Sequence, residues 1–325
     1  MAERTAARPV EEAAPRRGLL RGTGSRALGL WVLLLLAVAA CALSISVGTR
    51  PIGLGTVWHA LLDASAPGDE TVIVRQLRVP RTLLGVLAGL ALGASGALMQ
   101  GHTRNPLGDP GLLGVTAGAS FAVVLSISLL GLSTPSGYIW PALAGSALTY
   151  LMFALVQSIT IRESSTLDAY RFWIVGALAG RDGTVVVQVA PFIAAGLLLA
   201  VVNAPALNLL GLGEDVARGL GQRVWLARAV GLAAITLLAG GATAACGPIA
   251  FVGLVVPHAC RLLAGLDHRW LLPSCAVVGA GLLTLADVLG RVVARPDEID
   301  VGILTALIGA PVFITIVRRQ KARAL

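Results

Sequence analysis

The sequence holds a single lysine, Lys321, and no glycine-rich stretch precedes it. A GxxxxGK[ST] loop, whose backbone and lysine cradle nucleotide phosphates, is therefore absent, and the chain is not a P-loop ATPase. Charged residues make up only 13% of the chain against 56% hydrophobic, which excludes an ordinary soluble globular domain. The four cysteines, Cys41, Cys246, Cys260 and Cys275, stand singly in apolar stretches, with no CxxC and no neighbouring histidine pair. They read as buried small hydrophobes, neither a disulfide framework nor a metal site. Three methionines and four scattered histidines give no ligand set for a bare metal ion. No catalytic triad or paired-carboxylate constellation is visible, so a membrane-bound enzyme has no support. The isoelectric point near 10.3 would suit nucleic acid, but the basic residues are dispersed between apolar spans, and membrane topology explains them better.

What the chain has instead is apolar runs of bilayer length, together with 39 glycines and a mean hydropathy of +0.83. A helix of about 20 apolar residues crosses the hydrocarbon core. Ten candidate spans lie near 28–47, 81–99, 112–131, 138–160, 168–181, 184–203, 228–246, 248–264, 271–290 and 302–317. They predict an all-α integral membrane protein of about ten transmembrane helices. Two of the boundaries depend on breaks at Gly180-Arg181-Asp182-Gly183 and at Gly247-Pro248. Residues 1–27, rich in Arg, Glu, Pro and Ala, read as a disordered basic cytoplasmic tail. The first span lacks a convincing cleavage site and reads as a retained helix rather than a signal peptide. Residues 318–325 form a second basic tail. Gly85, Gly89 and Gly93 recur every four residues and share one helix face, the pattern of a close packing seam.

With the N-terminus inside, 18 of the 25 Lys and Arg residues fall on inner segments. The even span count returns the C-terminus to the same side, so both termini are expected in the cytoplasm. The seven outside are Arg50, Arg75, Arg78, Arg81, Arg181, Arg291 and Arg295. Arg78 and Arg81 flank Pro80 at the predicted start of a helix, where proline is tolerated but positive charge opposes the helix dipole. Cations placed against both rules point either to an external acidic partner or to local pairing with Asp69, Glu70, Asp297 or Glu298. Among intramembrane ionisable groups, Asp287 precedes Arg291 by four positions, so the two can pair on one face. The competing reading is a proton relay in an ion-coupled secondary carrier. His258, after Pro257, reads as a hydrogen-bonded packing histidine.

Two polar segments stand out between spans. Asn105-Pro106 lies in a rigid turn after the second span, and a turn between spans sits at a membrane face or lines a protein cavity. Residues 204–228 alternate glycine, acid and arginine in a pattern suiting two short helices joined at Gly219 to Gly221. Such helices either dock in a groove on a partner or connect spans along the headgroups.

Several blocks, in order, resemble the permease subunits of ABC importers for ferric siderophores and cobalamin. They are RVPRT (78–82), SGALMQ (95–100), NPLGDPGLLGVTAGA (105–119), LGEDVARGLG (212–221), GPIAFVGLVVPHACRLLAG (247–265), DHRWLLP (267–273), ADVLGR (286–291) and GILTALIGAPVFI (302–314). The resemblance covers about residues 50 to 317 and implies a ten-helix permease domain over 28–317. It implies a second permease copy or a related permease, cytoplasmic ATPase subunits carrying ATP-Mg, and an extracytoplasmic substrate-binding protein that delivers cargo. No cofactor is implied in this chain itself. Arg78, Arg81 and Arg291 resemble external arginines that meet acidic residues of the binding protein. Asn105 and Leu107 resemble an inner gate, and Ser164, Ser165 and Thr166 sit where the family has a second gate loop. Glu214, Asp215, Ala217, Arg218 and Gly221 resemble the segment that couples to the ATPase. The cargo implied is a ferric siderophore, with cobalamin or haem as alternatives. One departure is Glu298-Ile299-Asp300 where the family usually has Glu-Leu-Pro, a change expected to loosen that external corner.

Overall fold

The computed structural model describes residues 18–20, 22–50, 52–63, 68–109 and 164–324, with short helical pieces at 144, 147–148, 151–152, 154–156 and 158. The third and most of the fourth predicted spans thus lie outside the described residues. The regular elements among them are all helices, with no strand among the described residues. In chain order the helices are α1 (Thr23–Ser46), α2 (Leu54–Leu62), α3 (Asp69–Thr103), α4 (Ser164–Val175) and α5 (Gly183–Gly211). They continue as α6 (Glu214–Gly219), α7 (Val224–Cys246), α8 (Val252–Ala264), α9 (His268–Val293) and α10 (Val301–Ala324). Six of these are long and apolar enough to cross a membrane: α1, α3, α5, α7, α9 and α10 up to Arg318.

Several boundaries differ from the sequence expectation. Helix α1 begins at Thr23, inside the predicted tail, because Ser25 and Gly22 close its first turn by reciprocal hydrogen bonds. Helix α3 begins at Asp69, so Pro80 lies inside a helix rather than at its start. The turn just before it, Ile73–Arg78, is widened to a π-helix. Proline interrupts the regular ladder and crowds the carbonyl four residues back, and local widening is a common way to absorb that insult. Helix α5 runs on through Pro205 to Gly211, where the apolar sequence ends. The connecting segment is correspondingly shorter than 204–228. It holds one short helix, α6, because Gly221 adopts a left-handed φ of 81° and ends it before a second can form.

The bundle is built on α3. Its glycine face is the packing seam that the four-residue spacing predicts: a side chain at Gly89 would strike the Gly279 backbone of α9, and one at Gly93 the Cys275 carbonyl oxygen. Gly96 stands in the same relation to Gly253 of α8. Without side chains between them, the helix axes approach closely and the backbones gain dispersion contact that lipid tails would not supply. Cys246, Cys260 and Cys275 are buried as free thiols, as expected of small hydrophobes, whereas Cys41 is only half-buried.

A second feature is three broken helix ends meeting in the interior. Ala177 N–H donates to the Cys246 carbonyl and Gly302 N–H to the Gly176 carbonyl, both at 2.8 Å. Gly247, with φ of 78°, lies so close to the Trp173 carbonyl that no side chain fits. Irregular backbone at this depth is tolerated only where protein satisfies its polar groups, and here the three segments satisfy one another. The breaks at 180–183 and 247–248 are thus real. Asp182 caps α5, its carboxylate accepting from the Thr184 hydroxyl at 2.6 Å and from two backbone N–H groups, which holds its pKa below the usual range.

The third feature is an arginine cap. Helix α1 has no basic residue in its own last turn, yet its terminal carbonyls lack intrahelical donors and carry the negative end of the dipole. Arg78 of α3 donates to the Ile45, Ser46 and Arg50 carbonyls at 2.9, 2.8 and 2.6 Å. Arg291 of α9 donates to the Ser44 and Val47 carbonyls at 3.0 and 2.9 Å and to the Ser44 hydroxyl at 2.7 Å. Asp287 supplies the counter-charge, 3.0 Å from Arg291 and 2.8 Å from Arg81, and is 2% exposed. The i,i+4 pair expected from sequence is present, with a third member contributed by α3.

Two outcomes follow for stability. Arg291→Met should leave Asp287 short of a partner and the Ser44 and Val47 carbonyls uncapped, lowering stability by about 3–5 kcal/mol; thermal unfolding in detergent reads the loss. On the seam, Gly93→Leu should destabilise by at least ~1–3 kcal/mol through overpacking. In the same assay Gly240→Ala, where no atom lies within 4 Å of the added carbon, should leave the midpoint unchanged or raise it.

Candidate functional site

Helix ends sort into two groups. At one, Arg50 (after α1), Arg78 and Arg81 (α3), Arg181 (before α5), Arg291 (α9) and Glu298 (before α10) line a cavity of about 410 Å³. Arg295 adjoins it, donating to the Gly48 carbonyl at 2.7 Å. Arg75 instead donates to the Ala60 and Leu61 carbonyls at the end of α2. Residues scattered over some 240 positions of sequence thus converge at one end. Arg78 and Arg291 are buried and engaged with α1, and Arg81, 12% exposed, pairs with Glu298 at 2.6 Å as well as with Asp287. Of the local acids weighed from sequence, Glu298 is therefore a partner, while the main one, Asp287, sits 206 positions away from Arg81. Arg50 is exposed, and Arg181 keeps a buried Nε with no partner among the described residues. A concave site lined by five guanidiniums and one carboxylate attracts anions. Burial raises the pKa of nearby Asp300.

The departure at 298–300 does not loosen the corner. Ile299 N–H donates to the Gly290 carbonyl at 3.2 Å, and the Asp300 carbonyl accepts from Ile303 and Leu304 at 3.1 and 3.4 Å, opening α10. Backbone pairing does there what the ring of a proline would do.

The opposite end gathers the termini of α3, α5 and α8 and the starts of α1, α7 and α9. Arg104 closes α3 in the left-handed conformation, φ 50° and ψ 28°, and its Nη2 donates to the Leu210 carbonyl at 2.6 Å. Beyond it Asn105 turns the chain: its Oδ1 accepts from Leu107 N–H at 2.9 Å and its carbonyl from Gly108 N–H at 3.0 Å. This side-chain turn gives the Asn-Pro loop its stiffness. Ser164, Ser165 and Thr166 form the first turn of α4 rather than a loop; serine and threonine are favoured at helix starts.

The segment 212–223 is a charged and apolar knob. Arg218 lies 3.2 Å from Glu214 and 3.3 Å from Asp215, and Arg228 of α7 also pairs with Glu214. Ala217 faces inward, packed with Leu210, Val224 and Ala227. Gly221 and Gly213 supply the positive φ values that end and begin the α6 turn. Leu212, Val216 and Leu220 are exposed at 65%, 50% and 61%. Sequence reading missed this stripe, although its four-residue spacing was visible. It also missed Arg104 as a link between α3 and α5, and the His102–Asn203 contact at 2.9 Å, for which no local signal exists. On the far side, Asp267 is bonded by Asn208 at 2.7 Å and by Arg269 N–H at 3.0 Å. Burial raises its pKa, but these bonds and Arg26 outweigh that and hold it below the usual range.

An anion-attracting recess at one end and a charged knob linked to a stiff turn at the other suit a chain that engages partners at both ends. Comparison with known proteins places the chain in a family. The profile of the FecCD transport family matches residues 34–155 and 137–319. The ferric enterobactin transport system permease protein of Escherichia coli K12 is 42% identical, over 91% of this chain and 96% of its own. The iron(3+)-hydroxamate import system permease protein of Bacillus subtilis 168 is 38% identical, over 86% and 80%. The hemin transport system permease protein of Yersinia pestis is 35% identical, over 90% and 96%. A solved chain described as an inward-facing conformation of a metal-chelate type ABC transporter superposes with a TM-score of 0.71 at 28% identity, over 90% of this chain and 99% of that one. These matches run through the arginine cap, the Asn105 turn and the α6 knob alike, and the chain is a multi-pass membrane protein that belongs to the FecCD transport family.

Proposed function

We propose that the chain is the permease subunit of an ATP-driven importer that moves a ferric siderophore from an external binding protein into the cytoplasm. The observation that carries this reading is the near full-length similarity to the enterobactin permease, with the hydroxamate permease beside it. The chain has no phosphate loop of its own, so ATP-Mg belongs to a partner ATPase. Eight of the described helices, α1, α3, α4, α5, α7, α8, α9 and α10, take part in spanning, α4 and α8 as short pieces beside the interior breaks. The two apolar runs within 110–163 bring the total to ten, with both termini in the cytoplasm. A second permease, identical or related, completes the path.

In this reading the arginine end faces outward. The binding protein docks over the cavity that holds Arg78, Arg81 and Arg291, where a partner carboxylate exchanges with Glu298 for Arg81. The rim residues Arg50 and Arg181 are the first to meet it. The knob faces inward and seats on the ATPase through Leu212, Val216 and Leu220, while Glu214, Asp215 and Arg218 fix its orientation. Ala217 and Gly221 shape the knob rather than touch the partner. Movement of the knob reaches Leu210 at the end of α5, then Arg104, and so the turn at Asn105 and Leu107 that closes the path. The first turn of α4, Ser164 to Thr166, closes it from the other side.

Replacing Glu214 and Arg218 together by alanine should abolish ATPase association and uptake in vesicles supplied with ATP, binding protein and labelled ferric siderophore. Uptake at the normal rate by that variant would sink the coupling assignment, and uptake driven by a proton gradient without ATP would sink the importer reading. At the other end, Arg50→Glu with Arg181→Glu should weaken binding-protein docking about tenfold at low salt, with the difference shrinking as salt screens the rim. Equal affinity at low salt would remove the rim from the docking surface.

A further inference from the structure

At the knob end, a separate cavity of about 500 Å³ lies between α3, α5, α8 and α9. Its polar lining consists of Gln100, Arg104, Asn208, Arg261 and His268, with no aspartate or glutamate among the lining residues. Leucines, including Leu207, Leu212 and Leu271, make up most of the remainder.

Arg261 is the anomaly. It is half-buried on α8 and lines the cavity, yet its guanidinium has no hydrogen bond and no ion pair among the described residues. The buried arginines at the other end behave differently, since Arg78 and Arg291 each place at least three donated bonds on carbonyl or hydroxyl oxygens. An unpaired cation held away from bulk water is costly, and such charges are normally paired. Arg104, at the same cavity, has one bond, to Leu210, and other donors to spare.

Among the described residues, no acid lines the cavity to neutralise this pair. The nearest acid to His268 is Asp267, already bonded by Asn208, Arg269 N–H and Arg26 at 2.7, 3.0 and 3.7 Å. The network also assigns the His268 ring. Asn208 donates through Nδ2 to Asp267 and accepts through Oδ1 from His268 N–H at 2.9 Å, so His268 Nδ1, 3.0 Å from the same oxygen, carries a proton and donates. Its Nε2 is packed against Gly101 without a partner among the described residues. The ring is thus a fixed wall and offers no negative charge.

We propose that this cavity binds a phosphate-class anion, held by the guanidiniums of Arg261 and Arg104, with the leucine wall covering the apolar part of whatever carries it. A guanidinium presents parallel donors that match two oxygens of a phosphate, a geometry a lone ammonium cannot offer. Two sources share that chemistry: the headgroup of a membrane phospholipid, whose glycerol and first methylenes would lie on the leucines, and free phosphate from the aqueous side. The site does not depend on the cargo or on the coupling assignment.

The test uses the full-length chain, purified in detergent and stripped of lipid, with binding read by native mass spectrometry and by thermal shift. Phosphatidylglycerol in mixed micelles and inorganic phosphate are the two probes. Wild type should retain one equivalent of one probe; Arg261→Gln should bind it about tenfold more weakly, and Arg261→Lys should recover part of the loss. Leu212→Glu, which places a carboxylate on an exposed rim position and leaves the core untouched, should weaken binding likewise. Retention of phosphatidylglycerol that inorganic phosphate does not displace identifies the lipid, and displacement identifies the free anion. Equal binding by wild type, Arg261→Gln and Leu212→Glu, or binding of neither probe by the wild type, overturns the proposal.

Discussion

Helix α1 ends with its carbonyls facing the protein and no donor of its own to meet them, and the architecture at that end answers this one deficit. Arg78 from α3 and Arg291 from α9 supply the missing donors, so three helices distant in sequence are tied at one point. Two guanidiniums brought together would repel. Asp287 offsets the repulsion by lying about 3 Å from both Arg291 and Arg81, while Arg78 rests on carbonyl oxygens alone. Charges buried in this way are weak contributors to net stability but severe to disrupt, because the partner left behind is stranded in a poorly solvated place. The same network leaves Arg50, Arg181 and part of Arg81 at a recess. A structural cap and an anion-attracting surface are therefore built from one set of residues.

The two ends of the bundle are joined by stiff elements. Helix α3 carries the cap near its start and the Asn105 turn at its end, and its glycine face holds it against α9 and α8 over most of its length. Close backbone contact makes this a poor place for bending. The regular ladder is interrupted instead at 176–182 and 247–251, where three segments exchange backbone hydrogen bonds.

Much of this was legible in the residue order. The six long apolar helices follow from hydropathy, the breaks from Gly180-Arg181-Asp182-Gly183 and Gly247-Pro248, the α3 seam from glycines four apart, and the Asp287–Arg291 pair from helical spacing. The knob at Glu214 to Arg218 was located by its charge pattern, and its exposed leucine stripe could have been. What could not be read was contact between remote positions: Arg104 with Leu210, His102 with Asn203, and the lack of a partner for Arg261 among the described residues. None of these has a local pattern, since each depends on which helix end lies beside which.

The seven arginines expected outside show where that boundary falls. Their outer positions run against the charge rule, and those of Arg78 and Arg81 against the helix dipole as well, which called for an acidic neighbour. Two such neighbours were open, a partner protein or the chain itself, and only the tertiary structure decided how the chain answers: α1 offers carbonyl oxygens and α9 offers Asp287. Hydrophobic length and helical period act along a few turns of chain, so the sequence by itself determined the membrane-spanning class, the approximate place of the described long helices and the presence of a misplaced-charge problem. Satisfying buried polar groups is a question of three-dimensional proximity, and the folded bundle alone determined which groups meet.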